Sequence, residues 1–414
     1  MRYPAGCAGR TRGAELVDKV PNFSMQRIVG FLEGIDLPYS QLQQCVCPLT
    51  HLELIATPME GARLRIARGE PLATRMNLGH QPKPVGETET LMLRTDGRAA
   101  YPVVDGVPIL MAPEVLTDPR EPAKFDLATS RYAEAYNEAT FYNAEATDTA
   151  SQIITASSLV DLPSDSFQRL GQIFRLSTED RADFPNPPLR WLMAGMDLGS
   201  EWDCYTHLAP VKNRHVLQLG GSGGIAMNLL LAGAADAILV TPMLGEARLA
   251  LKLAQALGLS NRFRCVVGIA EEIPLPATSL DIVFSGGCVH HMATELAFPE
   301  IARVLRPGGK FAAFEPWRAP LYSVGTKIFG KREANPFCRP LTRDRVAPLF
   351  DAFPSAEFVQ HGALTRYPML AMQKLGAKIS QETSWTVGRI DDRICSFIPG
   401  LRRFGSGVAL LATA

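Results

Sequence analysis

Five consecutive residues, Gly220-Gly221-Ser222-Gly223-Gly224, stand between the apolar run HVLQL and the helix-like stretch IAMNLLLAGA. Glycines between a strand and a helix permit a tight turn and let a ligand approach the backbone closely. The helix start beyond offers N–H groups to a carboxylate or phosphate. A glycine-rich turn alone is also an ordinary structural device, so its position among the other elements has to decide. Downstream, Gly286-Gly287-Cys288-Val289-His290-His291 follows the run LDIVFS. A histidine there can take a proton from a hydroxyl or amine, or it can hold its own loop by hydrogen bonds. Glu315, at the end of KFAAFEP, can pair with a substrate or orient a histidine. Trp317, Arg318 and Tyr322 follow it and either line a pocket or pack as an ordinary loop. Cys288 with His290, His291 and His361 or Glu315 satisfies no known ligand spacing, so no metal is expected there.

These residues need a scaffold, and the sequence from His215 onward supplies a regular one. HVLQLG, AILVT, RCVVG, LDIVFS and KFAAFEP read as strands, with helical stretches such as LGEARLALKLAQALG and TELAFPEIARVL between them. Strands alternating with helices imply βαβ units and a parallel sheet. AEFVQHGAL and GVALLATA add two strands near the end. Five β/α units headed by the glycine turn make ligand binding the better reading of that turn. The expected division is a leader over 1–40, a small domain over 41–116, a helical linker or cap over 117–213, and an α/β domain over 214–414 with a helical insertion at 362–404. The aromatic residues Tyr132, Tyr136, Phe141 and Tyr142 in the linker are read as packing groups.

The motifs fit a known pattern in order. VLQLGGSGG resembles motif I of class I methyltransferases, VVGIAEEIPLPATSLDIVFS resembles the stretch leading into their fourth strand, and GGCVHHMATELAFPEIARVLRPGGKFAAFEP resembles the segment that follows. The resemblance covers about a hundred residues and implies a Rossmann-like sheet of seven strands, the last antiparallel. It implies S-adenosylmethionine as cofactor, held by Gln218, Gly220, Gly221, Ser222, Gly223, Thr241, Ile269, Ala270, Ser285 and Gly286. His290, His291 and Glu315 are the catalytic candidates. Three positions depart from the family: Gln218, Thr241 and Ile269 stand where acids are usual. A carboxylate binds ribose hydroxyls by charge-assisted bonds, Thr241 accepts more weakly, and Ile269 can only pack. Glu246, Glu271 and Glu272 lie near enough in sequence to compensate.

CPLTHLELI and, later, AYPVVDGVPILM are similar to the small activator domain of tRNA methyltransferases, some of which carry zinc on four cysteines. Here Cys45 and Cys47 have no second cysteine pair, and His51 and His80 read better as surface or structural groups, so no zinc is expected. Lys+Arg and Asp+Glu both number 42, which argues against broad capture of nucleic acid. No apolar run reaches membrane-spanning length and the cysteines are scattered, so a cytoplasmic protein with reduced thiols is expected, with no membrane partner. The leading expectation is methylation of a small-molecule substrate, with a protein partner or homodimer left open. The alternatives are a non-methylating enzyme on the same fold, for cyclisation or elimination, and a non-catalytic partner-binding protein.

Overall fold

The computed structural model describes residues 45–58, 90–96, 100–104, 106–110, 198–256, 258–320, 322 and 339–414. The leader, the aromatic stretch Tyr132–Tyr142, His80 and the segment GKRE at 330–333 lie outside the described residues.

Two sheets carry the described chain. The smaller is antiparallel and built in sequence order from β1 (Leu54–Pro58), β2 (Thr90–Arg94), β3 (Ala100–Val104) and β4 (Val107–Pro108). The larger begins after helix α1 (Leu198–Leu208) and alternates β5 (His215–Leu219), α2 (Gly224–Leu231), β6 (Asp236–Thr241), α3 (Leu244–Ala256) and β7 (Phe263–Val267). It continues with β8 (Leu280–Gly286), α4 (Thr294–Val304), β9 (Leu305–Pro316), α5 (Arg343–Ala352) and β10 (Ser355–His361). Helices α6 (Arg366–Lys374) and α7 (Gln381–Phe397) precede the final strand β11 (Gly407–Thr413). Its spatial order is β10-β11-β9-β8-β5-β6-β7. β11 runs antiparallel to both neighbours, while β5 to β9 pair in parallel. This is the Rossmann-like, seven-stranded mixed sheet that the motifs imply.

Apolar runs make the central strands because both faces are covered. Val216, Leu217, Leu239, Val267, Val283, Phe284 and Ala312 are all buried. α2 is buried along its whole length, which suits a helix that is apolar all round. One element differs from expectation. The turn Arg306-Pro307-Gly308-Gly309 does not precede β9 but lies within it, as an outward excursion between the pairs Leu280↔Leu305 and Ile282↔Lys310. Gly308 turns it with φ +77°.

The small sheet docks on the β7 edge. Leu110 N–H donates to the Val267 carbonyl at 2.7 Å and Val46 N–H to that of Pro274 at 3.0 Å. Covering an open edge in this way removes a pairing hazard. Within it, Cys47 Sγ lies 3.2 Å from Tyr101 Oη, and Arg94 Nη1 donates to it at 3.8 Å. Burial pushes the Cys47 thiol up, but hydrogen bonds from Thr50, Tyr101 and the Leu49 backbone bring it below its ordinary value. Burial pushes Cys45 up to about 12. His51 points instead to Glu300, at 3.8 Å.

Candidate functional site

The parallel registers Leu219↔Val240, Thr241↔Val267, Leu219↔Ser285 and Gly286↔Phe314 bring the ends of β5 to β9 to one edge of the sheet. The candidate residues gather there: Gln218 and the glycine turn, Thr241, Ile269 with Ala270, Ser285 with Gly286, the pair His290 and His291, and Glu315. Gly220, Gly221 and Gly223 have φ of 74°, 73° and 81°, a region that favours glycine. A β-carbon on Gly220 would come within 2.6 Å of Cys288 Sγ, so the β8 loop lies directly on the turn.

Gln218 closes that turn from below. Its Nε2 donates to the Gly220 carbonyl and its Oε1 accepts from Ala226 N–H, both at 2.8 Å. The second bond satisfies one of the N–H groups that open α2. A carboxylate could accept from Ala226 but could not donate to Gly220. This explains an amide at a position where an acid would hold only half the turn. Ser285 Oγ donates to the Leu219 carbonyl at 3.2 Å and ties β8 to β5.

Glu315 is the centre of the second half of the site. It is buried, and its carboxylate accepts from the N–H groups of Cys288 at 2.9 Å, Val289 at 2.8 Å and His290 at 3.3 Å. Its Oε2 also lies 2.7 Å from His290 Nδ1. Burial pushes the Glu315 carboxyl up, those backbone N–H groups and His291 pull it part of the way back, and it stands raised from 4.5 to about 7. The ionised form accepts a hydrogen from Nδ1, which leaves Nε2 as the basic nitrogen of a neutral His290. Arg345 holds the loop from the other side, donating to the carbonyls of His290 at 3.0 Å and Met292 at 2.8 Å. His290 is fully buried, whereas His291 is half-buried and lies against it with ring centroids 4.0 Å apart and planes tilted by 41°.

A scan against protein families matches the description "Methyltransferase domain" over residues 217–313. Uncharacterized methyltransferases of Mycobacterium tuberculosis and Mycobacterium bovis are 39% identical over 106 residues, which is 25% of this chain and 40% of theirs. A ubiquinone/menaquinone biosynthesis C-methyltransferase of Rubrivivax gelatinosus is 33% identical over 123 residues, 28% of this chain and 47% of that protein. The chain thus spans less than half the length of these relatives. The structure of geranyl diphosphate C-methyltransferase from Streptomyces coelicolor A3(2) aligns with TM-score 0.38 and 16% identity, over 52% of this chain and 77% of that one.

Within the matched residues 217–313, the three acids near the departures separate cleanly. Glu271 Oε1 accepts from Ala293 N–H at 2.7 Å and so caps α4. Glu272 lies close enough to Tyr101 to raise its phenol, toward the small sheet. Glu246, buried in the first turn of α3, instead acts electrostatically on Cys288, at the site. Thr241 is fully buried, and its Oγ1 accepts from Met243 N–H at 3.4 Å. Ile269 is buried beside Ala270.

Other candidates fall elsewhere. Trp317 is buried and stacks on Phe358 at 5.2 Å, so it packs rather than lines a pocket, and Arg318 is exposed. His361 is away from Cys288, held by Asp203 and Asp392 at 2.9 and 2.7 Å. Among the described residues no group of three or more His, Cys, Asp or Glu could hold a metal ion. No helix among them is long and apolar enough to cross a membrane. Arg345, Asp203 and Asp392 carry no sequence signal: each acts across more than 30 residues, on a partner that local spacing cannot name.

Proposed function

We propose that the chain is an S-adenosylmethionine-dependent methyltransferase acting on a small molecule. The observation that carries this reading is the left-handed turn Gly220–Gly223, which feeds the start of α2 at the edge where β5 to β9 end. The residues fit the cofactor with one rearrangement. The N–H groups opening α2 suit its carboxylate, and the second lone pair of Gln218 Oε1 suits its ammonium. Ile269 and Ala270 form an apolar wall for a base. Thr241 is fully buried and accepts from Met243 N–H, so the ribose would be held by another group on that side, with Glu246 in the first turn of α3 as the candidate. When bound, the cofactor provides an electrophilic methyl group on a sulfonium.

The protein's own part is to align the acceptor and remove its proton. A base has to touch its substrate, and His290 is fully buried. His291 therefore takes the proton, and the Glu315–His290 pair with Arg345 fixes the loop that presents it. The similarity to a ubiquinone/menaquinone biosynthesis C-methyltransferase supports a small organic acceptor.

The test is calorimetric titration of the full chain with S-adenosylmethionine and S-adenosylhomocysteine, beside Gly220→Ala. Micromolar binding to the wild type, lost in a variant that keeps its circular dichroism, is expected. No heat up to millimolar ligand would overturn the reading. The absence of acids at Gln218, Thr241 and Ile269 would then favour a non-methylating enzyme on this fold.

A further inference from the structure

The charge beside the β8 loop is one-sided. Two segments flank that loop beyond Glu315: 316–320, which leaves β9, and 339–346, which leads into α5. Backbone bonds join them, Leu341 N–H to the Pro316 carbonyl and Arg318 N–H to that of Leu341, both at 2.9 Å. Arg345 ties them to the loop. Its Nη1 donates to the carbonyls of Arg339 at 2.6 Å and His290 at 3.0 Å, and its Nη2 to that of Met292 at 2.8 Å. The backbones of Arg318, Arg339 and Arg343 therefore share one strip beside the two histidines, and all three residues are exposed. Asp344 is the single acid among the described residues of these segments. Glu315 does not offset the arginines, because its carboxylate is turned onto the loop's own N–H groups and His290.

The opposite edge of the sheet is built differently. There, where β5, β6 and β8 begin, Arg306 and Arg214 pair with Asp281 at 3.0 and 3.6 Å, and Arg264 with Asp236 at 3.7 Å. The chain as a whole carries as many acids as bases, so the arginines beside the histidines are a local concentration that attracts anions. Their position says which ligand they serve. β9 lies two strands from β5, and the cofactor's carboxylate belongs with the N–H groups of α2, beyond β5. The arginines stand on the His291 side, and an acceptor has to meet His291 to lose its proton. Guanidinium groups suit carboxylate and phosphoryl oxygens because they donate two parallel N–H bonds. We propose that the acceptor is an anion, its carboxylate or phosphoryl group held by Arg318 and Arg343 while its reacting atom faces His291. Its role as acceptor rests on the methyltransferase reading, whereas the anion site itself does not.

Phenylglyoxal modification of the full chain, read at each arginine by peptide mass spectrometry, tests this. The probes are benzoate for a carboxylate and inorganic pyrophosphate for a phosphoryl group, each at millimolar concentration against sodium chloride of matched ionic strength. One of them is expected to slow modification of Arg318 and Arg343 several-fold and to leave Arg393, exposed on α7, unchanged. In Arg318→Gln the protection at Arg343 should be lost, and in Arg318→Lys it should be kept in part. No protection by either probe would overturn the proposal, as would equal protection by chloride or protection at Arg343 that Arg318→Gln does not move. Protection by heparin alone would also overturn it, because the strip would then serve a polyanion. Calorimetry with S-adenosylhomocysteine, run beside it, separates the two readings. Anion protection without cofactor binding would keep the anion site and overturn its role for an acceptor. Cofactor binding without anion protection would overturn the anion site and leave the methyltransferase reading standing.

Discussion

The β8 loop with Glu315 and the inserted helix α7 both place carboxylates inside the protein, but to opposite ends. At the loop, Glu315 draws three backbone N–H groups and a histidine onto itself, and everything around it is packed. At α7, Asp391 and Asp392 tie the helix inward to Thr365 and His361, and the apolar side chains are left pointing out. The first region is held from within: the Glu315 carboxylate is satisfied on both oxygens, and the loop's geometry is set before any ligand arrives. The second is tied down on its polar side alone. Inward polarity fixes where the helix sits, and Ile390, Ile394 and Phe397 stay exposed on its outer side.

The largest effect should come from the first region. Glu315→Ala removes the acceptor of three buried N–H groups and the partner of His290. Breaking a buried, hydrogen-bonded charge of this kind costs about 3–5 kcal/mol. Denaturant unfolding should show the midpoint fall accordingly. A loss below about 1 kcal/mol would mean that water or a rearranged loop replaces the carboxylate readily, and that the site is not held in advance.

A smaller and pH-dependent effect belongs to the joint beneath the insertion. His361 sits between Asp203 of α1 and Asp392 of α7, with Arg389 behind Asp392 at 3.5 Å. Burial lowers its pKa, but the two aspartates outweigh burial and raise it from 6.5 to about 9. The sign follows from linkage. A group whose folded pKa is raised stabilises fully below its unfolded value, and that contribution is lost as pH climbs through the folded one. Stability from this joint should therefore be complete below about pH 6.5 and gone above about pH 9, a change of roughly 3 kcal/mol. Glu315 titrates partly in the same range, so the quantity to measure is wild type minus His361→Gln at pH 6 and pH 9. An equal difference at both pH values would mean that the histidine is a neutral spacer and that the insertion is held by Asp391 alone.

The two regions were unequally legible in the sequence. The strands, the glycine turn and the order of elements are local properties: apolar runs, a breaker, a period. Gln218, Thr241 and Ile269 stood out as departures, yet only coordinates give Gln218 its role, because its partners Gly220 and Ala226 are backbone atoms. The division of labour between His290 and His291 depends on burial, which two adjacent identical residues cannot reveal. The joint at His361 joins positions 158 residues apart. The outward stripe of α7 was hidden for a related reason. A helix with one apolar face reads the same whether that face turns in or out, and only tertiary structure decides.

The smallest effect uses one substitution in both regions. At Gly223, φ is +81° and an added β-carbon would meet that of Ala250 at 2.8 Å, so Gly223→Ala is strained twice, by backbone and by contact. At Gly388, inside α7, no left-handed φ is required and an added β-carbon would meet nothing within 4 Å. Alanine there restricts the unfolded chain and favours the helix, so Gly388→Ala should stabilise by about 0.5–1 kcal/mol. Opposite signs for the two alanines, read from unfolding midpoints, would sharpen the contrast between a closed turn and an open helix. A destabilising Gly388→Ala would show instead that this flank of α7 is packed more closely than the open space around its β-carbon position implies.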